Sequence, residues 1–143
     1  MILTTKAKYA MMAMIDLYEE TAKDPKPISL LSISQRQDIS LSYLEQIFAN
    51  LRKSGIVKSV KGPGGGYVLG KKPQEISVAE IILATGENIK MTSCKHSAGG
   101  CNLAIKNKQK KCKTHDLWFG LEKNIHNYFS SISIYDICNN GNN

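Results

Sequence analysis

A chain of 143 residues, 42% of them hydrophobic, can bury one core and carry an appendage, and is too short for two large domains. Its formal charge of +7 comes from 19 Lys and Arg against 12 Asp and Glu, and residues 1–73 hold +5 of it (11 basic, 6 acidic), which points the first half toward a polyanion. No apolar run nears the roughly 20 residues of a membrane helix and Met1–Lys6 lacks the layout of a secretory signal, so the chain reads as cytoplasmic with no membrane partner, where four cysteines serve as metal ligands, redox groups or buried residues rather than disulfides.

From Thr5 to about Ala22, residues Ala7, Ala10, Met11, Met14, Leu17 and Tyr18 recur at the three-and-four spacing of one helical face. Asp24-Pro25-Lys26-Pro27 ends that helix, because each proline removes a donor and pushes its predecessor out of the helical region. A short helix is expected from about Ser29 to Gln37. Ser42 and Glu45 then stand in capping-box relation ahead of Leu44, Ile47, Phe48 and Leu51, and Gly55 closes this third helix. Two helices joined this tightly have the layout of a helix-turn-helix.

Ile56–Val60 and Tyr67–Leu69 are β-prone runs joined by Lys61-Gly62-Pro63-Gly64-Gly65-Gly66, a hairpin with a glycine tip. The fold class is thus mainly α with a small β-wing, a winged helix-turn-helix domain over 1–86. Ser77 and Glu80 form a second capping box, starting a helix through Val78, Ile81 and Ile82 that Gly86 ends. Residues 87–115 form a Lys- and Gly-rich loop that only a ligand or partner would order.

Residues 116–138 hold a long C-terminal dimerisation helix and a short terminal helix. In the long one Leu117, Leu121, Ile125, Tyr128 and Phe129, flanked by Trp118, recur at helical spacing. That stripe needs a surface, either its own winged helix or the same helix of a second subunit, and the two half-sites of most helix-turn-helix operators favour a homodimer. Residues 139–143 read as a disordered tail.

Cys94-x6-Cys101-x10-Cys112-x2-His115 is the chemical signature of the loop. Two residues between a thiolate and an imidazole let one turn present both to one ion, and soft sulfur with a borderline nitrogen suits zinc or an iron–sulfur cluster rather than magnesium or calcium. Long intervals and a histidine lean toward a cluster, while spacing alone leaves zinc open. His96 is an alternative nitrogen ligand but reads as a solvated loop residue, His126 as a surface or interface residue, and Cys138 as a buried or fraying-end thiol. Gly65-x4-Gly70-Lys71 lacks the Ser or Thr and the following helix of a phosphate loop, and no catalytic triad or carboxylate pair stands out, so an enzyme is not expected.

For DNA, the start of the third helix offers Ser40, Ser42, Tyr43 and Gln46, the last able to pair bidentately with adenine. Glu45 caps the helix or accepts from cytosine. Arg52 and Lys53 suit phosphates, and Lys61 at the wing suits a backbone or minor-groove contact.

Leu3-Thr4-Thr5-Lys6 with Tyr9-Ala10, Ile39-Ser40-Leu41-Ser42-Tyr43-Leu44-Glu45-Gln46, Leu51-Arg52-Lys53, Val60-Lys61-Gly62-Pro63-Gly64-Gly65-Gly66-Tyr67 and Cys112-Lys113-Thr114-His115 before Leu117-Trp118 closely resemble the IscR family of iron–sulfur cluster regulators, over nearly the whole chain. The resemblance implies a homodimeric winged-helix transcription factor holding one [2Fe–2S] cluster per subunit through Cys94, Cys101, Cys112 and His115. It implies that Ser40, Ser42, Tyr43 and Gln46 read bases, that Lys61 probes the minor groove where the family commonly has arginine, and that Glu45 governs discrimination between two classes of site. The expected partners are double-stranded DNA, at operators of its own and of cluster-assembly genes, and the iron–sulfur assembly machinery as cluster donor. Repression is expected when the cluster is bound. The intervals flanking Cys101 are longer than in the family's namesake, so the loop must bulge there. Alternatives are a metal-free or zinc-bound winged-helix repressor sensing thiol or nitrosative stress, and an electron carrier or cluster scaffold.

Overall fold

In the computed structural model of the chain, which describes residues 3–91 and 113–140, Thr4 is extended and its hydroxyl accepts from the Ala7 N–H, so α1 begins at Thr5 and runs to Lys23. Its face of Ala7, Ala10, Ala13, Met14 and Leu17 is fully buried. Ser29 caps α2 (Leu30–Gln37), which ends at Asp38 in the left-handed conformation, φ 54°. Aspartate tolerates that geometry better than most side chains, and the turn it makes drops Ile39 into the core.

α3 (Leu41–Lys53) follows directly. Its N-cap is Ser40, whose hydroxyl accepts from the Tyr43 N–H at 3.2 Å. The expected box of Ser42 and Glu45 is therefore not formed: with Ile39 buried, the helix starts two residues earlier, capped by Ser40 alone, and Ser42 lies inside the first turn. Leu44, Ile47, Phe48 and Leu51 are fully buried beneath it. Gly55 takes φ 76° just past the end, as a C′ residue does.

The wing pairs β1 (Val57–Val60) antiparallel with β2 (Gly66–Leu69), Val57 opposite Leu69 and Val60 opposite Gly66. A third segment joins it that the sequence reading missed. Ile28 exchanges both backbone hydrogen bonds with Tyr67, at 2.8 and 2.9 Å. A Cβ at Gly66 would run into the Ile28 carbonyl, so the approach of that segment requires glycine there. Phe48 of α3 meets the Tyr67 ring at 4.9 Å, fastening wing to helix.

A 3₁₀ turn, Pro73–Glu75, leads to α4 (Val78–Ala84), whose expected capping box is present, Ser77 and Glu80 each bonding the other's backbone N–H. Burial pushes the Glu80 carboxyl up, but hydrogen bonds from the Lys71 ammonium and the Ser77 N–H outweigh it and hold the group below its ordinary value.

Among the described residues, 3–88 and 129–140 form one unit and 89–91 with 113–128 another. The last helix, α6 (Ile134–Asn140), thus joins the winged helix, not the long helix with which the sequence reading grouped it. The Ile134 N–H donates to Ile76 and the Val78 N–H to Ile132, while Ile134 is fully buried. Asn139 and Asn140, expected in a disordered tail, are helical, with the Asn139 amide donating to the Tyr135 carbonyl at 2.8 Å. Burial, with Glu19 nearby, pushes the half-buried Cys138 thiol up and so keeps it protonated. In the other unit, α5 (His115–Ser130) begins three positions after Cys112 in sequence, the Met91 N–H donates to Glu122 at 2.7 Å, and no residue of α5 is buried. None of the described helices is long and apolar enough to cross a membrane.

Candidate nucleic-acid interface

Burying Leu44, Ile47, Phe48 and Leu51 fixes which side of α3 faces outward. Ser42, Glu45, Gln46 and Lys53 occupy the opposite stripe and all four are exposed, with the small Ala49 between them. Tyr43 lies to one flank, half-buried, and Arg52 to the other, exposed. The predicted readers therefore do share one face. Arg52 and Lys53 in the last turn also complement the negative end of the helix dipole. Lys61 is exposed at the start of the wing turn.

Ser40 has two tasks available at once. Its oxygen accepts the Tyr43 N–H, and a hydroxyl that accepts still has a proton to donate, to Ser42 Oγ 3.4 Å away or to an incoming acceptor. Glu45 is not used as a cap. It stands exposed in the second turn of α3, where a carboxylate can accept from a cytosine amine and repels phosphate.

The face is held in place from behind by an ion pair that the sequence reading did not foresee. Asp16 of α1, 4% exposed, accepts from Arg36 Nε at 3.0 Å and Nη2 at 2.7 Å and from Gln37 Nε2 at 2.9 Å. The Asp16 hydrogen bond raises the Arg36 guanidinium further above its ordinary value against the opposing effect of burial. Both carboxylate oxygens are thereby satisfied, and α2 is pinned to α1 at the end that turns into α3. The only hint in sequence was an acidic residue on the otherwise apolar side of α1.

Of the expected metal ligands, Cys94, Cys101 and Cys112 lie outside the described residues, as does His96. His115 is the first residue of α5, half-buried, its ring stacked on Phe119 with centroids 6.1 Å apart. His115 thus stands at the start of α5, three positions after Cys112 in sequence. That placement, with a donor set of three thiolates and an imidazole, fits a soft metal centre. No group of three or more potential ligands occurs among the described residues.

Residues 3–140 match the family model Rrf2, described as iron-dependent transcriptional regulator. The HTH-type transcriptional regulator IscR of Photorhabdus laumondii is 46% identical over 140 residues, covering 98% of this chain and 80% of that protein. Among solved structures, T. potens IscR superposes with a TM-score of 0.75 at 33% identity, covering 99% of this chain and 88% of the other. CymR, the global cysteine regulator of B. subtilis, gives 0.74 at 29% identity, covering 96% and 95%.

Proposed function

This chain belongs to the Rrf2 family of transcriptional regulators, and from that premise we propose that it is a [2Fe–2S] cluster-sensing DNA-binding regulator that represses cluster-assembly genes, its own included, when loaded. The observation that carries the reading is the exposed stripe of Ser42, Glu45, Gln46 and Lys53 on α3, within a winged helix whose chain continues into a Cys/His segment. Ser40, Ser42, Tyr43 and Gln46 read base edges, Glu45 discriminates between site classes, Arg52 and Lys53 bind phosphate, and Lys61 enters the minor groove.

Cys94, Cys101, Cys112 and His115 would hold one cluster per subunit, a group that supplies sensitivity to iron supply and to oxidants. Because His115 opens α5, holding its imidazole holds the first turn of that helix. The exposed Leu117, Phe119 and Leu121 of α5 support a homodimer, which matches two half-sites of an operator. Ligand state changes DNA choice only by as much as its affinity differs between two conformations, and the segment around the ligands is the element that differs. The iron–sulfur assembly machinery is the donor.

Anaerobic purification followed by a visible spectrum, iron and sulfide assays, and titration of its own promoter DNA at two salt concentrations tests this. Expected are a coloured protein, equal iron and sulfide, and binding that weakens steeply with salt. A colourless protein carrying stoichiometric zinc overturns the cluster. Loss of sequence preference with the cluster intact would turn the reading toward a carrier or scaffold.

A further inference from the structure

We propose that Tyr9, on the first helix and outside the stripe that faces DNA, is a positioning residue for base reading, because it fixes the ring of Tyr43. The inference rests on the reading of Tyr43 as a base contact given above. Tyr9 and Tyr43 meet edge to face, with ring centroids 5.7 Å apart and planes at 88°. That is the favoured geometry of an aromatic pair, the positive rim of one ring against the negative face of the other.

Tyr43 differs from the other candidate readers. Ser42, Glu45 and Gln46 are exposed, whereas Tyr43 is half-buried and its ring touches an aromatic side chain of another helix. Both ends of its geometry are therefore set. The backbone N–H is held by Ser40, and the ring is held by Tyr9. A tyrosine whose two torsions are fixed before binding loses little freedom when its hydroxyl meets a base, and it meets that base at one position only.

Tyr9 is itself a firm support. α1 is 19 residues long, has Ala10, Ala13, Met14 and Leu17 fully buried, and is tied at its start by the Thr4 N–H, which donates to Glu87 at 2.7 Å. Helix α1 thus acts on the bases through a second residue, in addition to carrying α2 through Asp16.

The test is base preference, measured with the full chain on a pool of duplexes randomised across a two-fold site and sequenced after binding. The wild type is compared with Tyr43→Phe, Tyr9→Leu, Tyr9→Phe and the double variant Tyr9→Leu/Tyr43→Phe, with thermal midpoints taken alongside. Tyr43→Phe should flatten preference at one base pair per half-site, on the order of tenfold. Tyr9→Leu should flatten the same pair by a similar factor, Tyr9→Phe should retain it, and the double variant should lose no more than either single one. Uniform weakening at every pair in Tyr9→Leu, with a lowered midpoint, would reduce Tyr9 to packing and overturn the proposal. So would equal loss in Tyr9→Phe, which would make the Tyr9 hydroxyl a DNA contact in its own right. If Tyr43→Phe leaves every preference intact, the reading of Tyr43 itself fails and takes the positioning role with it.

Discussion

α3 sinks Leu44, Ile47, Phe48 and Leu51 completely into a core shared with α1, β1 and α4, whereas α5 buries none of its 16 residues. An isolated helix of that length is marginal in water, since nucleation is costly and few hydrogen bonds repay it. The reading helix is therefore rigid by its own fold. On the proposed reading, α5 is held by a metal centre at its His115 end and by a second subunit along its exposed stripe. The contrast is what a sensor requires, because one region must stay constant while the other responds.

If the two regions are separable in this way, changing a ligand should empty the sensor and leave the reader folded. Cys112→Ala is expected to abolish the visible chromophore and bound iron, with the far-ultraviolet helix signal and the unfolding midpoint of the winged helix unchanged. Collapse of the fold in this variant would show a structural metal, and the contrast would be lost. The converse change is Phe48→Ala, which removes the largest fully buried side chain under the reading helix and its contact with Tyr67 of the wing. It should cost about 3–5 kcal/mol in urea unfolding and end DNA binding at physiological temperature.

Periodicity found α1, α3 and α4, in which one buried face makes the apolar residues recur every three or four positions, and it found α5 too, whose apolar stripe keeps that spacing although none of its residues is buried. The wing was legible from its glycines. What escaped was anything settled by a distant partner, such as the single bridging residue Ile28, too short to have a period, or Asp16, which makes sense only opposite Arg36 and Gln37. The return of α6 to the winged helix depends on Ile134 meeting Ile76 and Tyr135 meeting Tyr18, pairings more than 50 residues apart in sequence. The capping box expected at Ser42 does not form because Ser40 takes the N-cap, with Ile39 buried just before it.

Asp16→Ala probes how the reader is held constant. Removing the carboxylate leaves Arg36 and Gln37 without their shared acceptor, and because Arg36 is about a third exposed it rehydrates in part. A loss of about 2 kcal/mol is expected by urea unfolding. Operator affinity should fall by more than that population change explains if α2 also tilts. Smaller again is the cap. Ser40→Ala should cost about 1 kcal/mol, while Ser42→Ala stays within a few tenths, since only the Ser40 hydroxyl accepts the helix N–H. The reverse order would restore the box at Ser42 and Glu45.

The smallest expected effect concerns Glu80, in the first turn of α4. Its carboxyl is held below the ordinary carboxylate value by Lys71 and Ser77, so the folded state binds its proton more weakly than the unfolded chain does. A depressed group contributes stability above its unfolded pKa, and that contribution disappears as pH falls through the folded value. Glu80→Gln keeps the capping box, because the glutamine oxygen can still accept from the Ser77 N–H, and removes the charge together with the acceptor for Lys71. The pair is partly open to solvent, so the difference between wild type and variant should be about 0.5 kcal/mol, level above about pH 5 and shrinking below about pH 4. Because the helix is anchored by Ile81 and Ile82 whatever the charge at Glu80, iron content and operator affinity near neutral pH should not follow this change. If they do, the charge at Glu80 reaches iron content or operator binding, and the proposed separation of reader and sensor fails.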